Sequence, residues 1–72
     1  MSFSSRLTEL QTSRNLKKQD IYNAIGITRI AYYYYEKDMR EPTLSILIAL
    51  ADFFDVSLDY LTGRTDNPKI NR

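Results

Sequence analysis

A lone glycine at position 26 constrains this chain more than any other residue. It closes the short apolar-periodic segment Ile21-Tyr22-Asn23-Ala24-Ile25 and stands just before the run Thr28-Arg29-Ile30-Ala31-Tyr32-Tyr33-Tyr34-Tyr35-Glu36. Glycine takes the left-handed conformation that lets one helix stop, and Thr28 can cap the next by accepting from its free amides. The layout is helix, tight turn, helix. In such a pair the second helix presents an outer face to a partner, and here that face carries tyrosines.

With 72 residues the chain is read as one small domain, near the lower limit at which a single core holds a fold without staples. Cysteine and histidine are both absent, which removes disulfides, thiolate metal sites, the commonest general base and the commonest metal ligand. The carboxylates are scattered among caps, loops and helix faces, and no glycine-rich phosphate loop accompanies them, so neither an enzyme nor a cofactor, metal or small-molecule substrate is expected. The apolar run Ile46 to Ala51 is too short to span a bilayer, and the opening Met-Ser-Phe-Ser-Ser lacks a signal-peptide pattern. A cytoplasmic protein, without a membrane partner, is the expectation.

The net charge of +1 hides an asymmetry. Residues 1–42 carry seven basic side chains against five acidic ones, whereas residues 43–62 carry only Asp52, Asp55 and Asp59. A polyanion would therefore meet the first half of the chain. The surplus is modest beside what phosphate neutralisation usually demands.

Periodicity predicts five helices. The first runs from about Ser4 to Arg14, with Leu7 and Leu10 inward and Asn15 as a left-handed stop; the second covers Lys18 to Ile25, with Ile21 and Ile25 inward. The third follows Thr28 and buries Tyr32 and Tyr35, leaving Tyr33 and Tyr34 to point elsewhere. After a polar loop ending in Pro42, a fourth helix from about Thr43 to Phe54 is apolar almost all round. Leu44, Leu47, Ile48, Ala51 and Phe54 are assigned to its core side, with Ile46, Ala49, Leu50 and Phe53 continuing around the cylinder. Ser57 caps a brief fifth helix, Leu58 to Leu61, stopped by Gly63. Domain boundaries follow as 1–63 for the folded unit and 64–72 for a mobile tail.

These residues together resemble the lambda repressor/Cro-type, or XRE-type, helix-turn-helix family. The resemblance rests on Phe3, Arg6, Leu7 and Leu10, then Leu16, Ile21 and Ile25-Gly26-Ile27-Thr28, then Tyr35-Glu36 and Arg40-Glu41-Pro42. The string Leu47-Ile48 through Leu50-Ala51-Asp52, Phe54, Val56-Ser57-Leu58-Asp59-Tyr60-Leu61 and Gly63-Arg64 completes it. It implies an all-α, compact five-helix domain with the motif at helices two and three. It also implies a small transcriptional regulator of a phage-type genetic switch, acting on double-stranded operator DNA.

Three departures stand out. Where the family commonly starts its second helix with a capped Gln, this chain has Lys17 and Lys18, with Gln19 one residue late; Lys17 cannot cap, and two lysines oppose the helix dipole. Tyr22 occupies a position where the family prefers Ala, so either the helices splay or the ring slides out between them. Ile30, Tyr33 and Tyr34 replace the polar residues that bond base edges.

Two readings follow. In the first, Lys17, Lys18, Gln19, Lys37 and Arg40 hold phosphates while Thr28, Arg29, Tyr33 and Tyr34 enter the major groove beside Ile30 and Tyr22. In the second, the same face grips a partner repressor protein, as an antirepressor or co-repressor, because tyrosines are strong interface anchors. A second apolar stripe, Ile46, Ala49 and Phe53 with Tyr60, is a candidate homodimer interface.

Overall fold

The computed structural model describes residues 2–70 and consists there of five helices and no strand: α1 (Phe3–Ser13), α2 (Lys18–Ile25), α3 (Arg29–Glu36), α4 (Leu44–Phe54) and α5 (Leu58–Leu61). Residues 1, 71 and 72 lie outside the described residues, including the end of the expected tail.

Each helix begins and ends for a local reason. Ser2, Thr28, Thr43 and Ser57 stand just before α1, α3, α4 and α5, and each hydroxyl accepts from a backbone N–H three residues on. Lys17 has no oxygen to offer, since an ammonium only donates. The start of α2 is instead held from the other side, where Asp20 Oδ2 accepts from the Lys17 N–H at 3.3 Å. That carboxylate also offsets the two lysines at the positive end of the helix dipole.

All five helices stop by one device. Asn15, Gly26, Asp38, Asp55 and Gly63 have positive φ, between 54° and 83°. The residue after each donates its N–H back across the last turn: Leu16 to Gln11, Ile27 to Tyr22, Met39 to Tyr34, Val56 to Ala51 and Arg64 to Asp59. This is the Schellman arrangement, which satisfies carbonyls that a helix end otherwise leaves open.

The core is built from Leu7 and Leu10 of α1, Ile21 of α2, Tyr32 and Tyr35 of α3, and Leu50, Ala51 and Phe54 of α4, with Val56 and Leu61 below. α4 packs on α2 and α5, and α1 on α3 and α5. The inward face of α4 differs from the expected one. Leu50 is fully buried, whereas Leu44 and Ile48 are 66% and 43% exposed. An almost wholly apolar helix carries no polar stripe to set its rotation, and it is turned so that Leu50 joins Leu47, Ala51 and Phe54 on the core side in place of Leu44 and Ile48.

The same rotation bears on the expected dimer stripe. Ile46, Phe53 and Tyr60 pack against the core, and Ala49 is half-buried. Phe53 meets Phe54 edge-on at 5.2 Å.

Segment 64–70 has no helix, yet it folds back on the domain. The Ser57 N–H donates to Pro68 O at 3.0 Å. Arg6, buried at 3% exposure, donates to Tyr60 O, Thr65 O, Asp66 and Glu9, and its guanidinium lies 3.7 Å above the Tyr60 ring. Among the described residues no helix is long and apolar enough to cross a membrane, and no cluster of His, Cys, Asp and Glu could hold a metal.

Candidate nucleic-acid interface

The turn from Gly26 to Thr28 fixes how α3 leaves α2. Gly26 has φ 76°, the N–H groups of Gly26 and Ile27 both reach Tyr22 O, and Thr28 Oγ1 accepts from the Ala31 N–H at 3.0 Å. The Thr28 oxygen is therefore committed to the helix start.

α3 buries Tyr32 and Tyr35 and turns Ile30 and Tyr33 outward, at 63% and 48% exposure. Tyr34 is half-buried: its ring lies edge-on to Tyr33 at 6.0 Å, and the Arg40 guanidinium covers it at 5.1 Å. Thr28, Arg29, Ile30, Tyr33 and Tyr34 line a shallow hollow of 620 Å³ on the outer face of the helix.

The apolar surface continues past the helix end to a residue the sequence reading missed. Met39 is 63% exposed and lies beside Tyr34 and Arg40. Its placement follows from the turn: Asp38, at φ 57°, folds the chain back, so that Met39 and Tyr34 occupy the two positions whose side chains meet in a Schellman stop. An Asp two residues past the helix end was the available signal.

Between α2 and α3 lies a smaller hollow of 230 Å³, lined by Lys18, Gln19, Tyr22, Arg29, Tyr32, Tyr33 and Glu36. Tyr22 settles half-buried in this cleft with its ring 6.2 Å from that of Tyr32, so the ring slides between the helices at their outer edge. Lys18 Nζ sits 2.8 Å from Glu36 Oε2, and the glutamate side chain is only 9% exposed. Lys18, expected to hold phosphate, is thus tied to a carboxylate of α3. Below it, the Tyr32 hydroxyl is buried without a hydrogen-bond partner among the described residues. Burial, and after it the negative charge of Glu36, push the Tyr32 phenol well above its ordinary pKa.

The remaining cations frame the α3 surface. Lys17, Gln19, Arg29, Lys37 and Arg40 are all exposed, and none of these four basic residues has a carboxylate within ion-pair distance among the described residues. A rod with an apolar centre and a cationic rim is the result.

Known proteins share this fold. A family model described as helix-turn-helix matches residues 9–61. The chain is 40% identical over 68 residues to the HTH-type transcriptional regulator YqaE of Bacillus subtilis, covering 94% of this chain and 59% of that protein. It is 31% identical over 64 residues to the cryptic phage CTXphi transcriptional repressor RstR of Vibrio cholerae, covering 89% and 58%. Among solved structures, a transcriptional regulator from Listeria innocua superimposes with a TM-score of 0.81 at 29% identity, over 86% of this chain and 58% of that one. The chain therefore spans less than two thirds of the length of each of these relatives.

Proposed function

Because this chain belongs to the lambda repressor/Cro-type helix-turn-helix family, we propose that it is a transcriptional regulator of a phage-type switch that docks α3 in the major groove of operator DNA. One observation carries the reading: the outer face of α3 is open, and among the described residues no carboxylate lies within ion-pair distance of Lys17, Arg29, Lys37 or Arg40 around it. Lys17, Gln19, Lys37 and Arg40 serve the phosphates, while Arg29, Ile30 and Tyr33 meet base edges. Two copies on adjacent half-sites would suit a two-fold operator. Such work places the protein in the cytoplasm of a bacterium or an infected host cell.

The apolar patch of Ile30, Tyr33, Tyr34 and Met39 favours a second reading, in which this face grips a partner repressor. Salt separates the two. A gel shift with DNA from the gene's own control region should weaken steeply between low and physiological salt if several phosphates are held, whereas an aromatic protein interface should hardly respond. Salt-insensitive capture of a neighbouring regulator, with no DNA retardation, would replace the first reading by the second.

A further inference from the structure

The outer face of α3 is short of the groups that read bases by hydrogen bonds. Thr28 Oγ1 accepts from the Ala31 N–H in the first turn of α3, Lys18 is paired with Glu36, and Arg40 lies over Tyr34. What remains most open at the centre is hydrocarbon, Ile30 at 63% exposure and the ring of Tyr33 one turn further on. In the major groove the hydrocarbon feature of a base pair is the thymine 5-methyl group. The two side chains lie on one helix face three residues apart, about 4.5 Å along the axis, which is close to one base-pair step. Arg29 adjoins the same hollow with no carboxylate in ion-pair distance among the described residues, and it supplies a charged donor in the groove as well as the attraction that holds a rod of this kind against DNA.

We infer that the operator half-site of this protein presents two thymine methyl groups on neighbouring base pairs, received by Ile30 and Tyr33, and that these methyls carry much of its sequence preference. The inference rests on the operator-binding reading and narrows it. An apolar pair at this place discriminates by burying or failing to bury a methyl group, so the preference is for thymine over cytosine and over uracil. Cytosine carrying a 5-methyl group would satisfy Ile30 in part.

The test begins with selection of binding duplexes from a random library by the full chain. Each thymine of an enriched duplex is then replaced singly by uracil, which removes only the methyl, and affinity is followed by fluorescence anisotropy. Two neighbouring replacements should each weaken binding about fourfold, the value of one buried methyl, and together about fifteenfold. Ile30→Ala should bind thymine and uracil duplexes equally at one of those positions, and Tyr33→Ala at the other. Tyr33→Phe should keep its sensitivity. Both side chains are exposed, and circular dichroism checks that the variants fold. If an enriched site tolerates every uracil with less than a twofold change, the methyl inference is overturned while operator binding stands. If no duplex is enriched over the library, operator binding itself fails and the methyl inference falls with it; salt-resistant binding to a regulator protein would then identify the patch as a protein interface.

Discussion

Tyr32 shows how one atom weighs against a ring. Its aromatic body fills the junction of α2 and α3, but its hydroxyl is buried without a partner, and an unsatisfied buried donor costs on the order of 1 kcal/mol or more. Tyr32→Phe should therefore stabilise the domain by about 1 kcal/mol, read from urea denaturation. The phenol also links stability to alkaline pH. Its folded pKa is raised, so its contribution is complete below the unfolded value of about 10 and declines as pH climbs from there towards the folded value. Denaturation curves of the protein and of Tyr32→Phe should converge less and less as pH rises past that point, the variant falling more gently. Parallel decline of the two would show that another group controls the alkaline limb.

At the scale of the element, the helix limits were legible because each rests on short-range chemistry: Gly26, Thr28, Pro42, Ser57 and Gly63 mark them in the chain, and Asn15 takes the left-handed φ expected of it. The rotation of α4 was not legible, since a cylinder apolar on every side fits several ways and only its neighbours choose. On α3 the inward pair Tyr32 and Tyr35 could be read from spacing. The tie between Lys18 and Glu36 could not, because it joins residues of two helices whose crossing is set by the turn. Two substitutions probe this pair of helices. Gly26→Ala meets no atom within 4 Å of its new Cβ, so it should cost only the left-handed strain, about 1–2 kcal/mol of stability by thermal or urea unfolding. Glu36→Gln should release Lys18 to the phosphates, steepening the slope of log affinity against log salt by about one contact. An unchanged slope would mean that Lys18 does not reach DNA even when free.

For the molecule as a whole, Arg6 joins the first helix to the segment that follows the last. Its guanidinium serves two carbonyls and two carboxylates, yet Asp66 is fully exposed and Glu9 is half so. Removing the arginine strands no buried acid. Arg6→Met should consequently lose about 2–3 kcal/mol, the value of charged hydrogen bonds to the Tyr60 and Thr65 carbonyls, while Asp66→Asn should change stability by under about 1 kcal/mol. Equal losses in the two variants would place the energy in the ion pair instead. The helix ends carry a kinetic consequence. Every one of the five stops is completed by hydrogen bonds reaching back no more than five residues, so chain reversals form without waiting for distant partners. Refolding should then finish on the order of microseconds to milliseconds, as contact-order arguments give for local topologies, with the packing of α1 on α5 and the arginine clasp joining the two extremities late in the reaction.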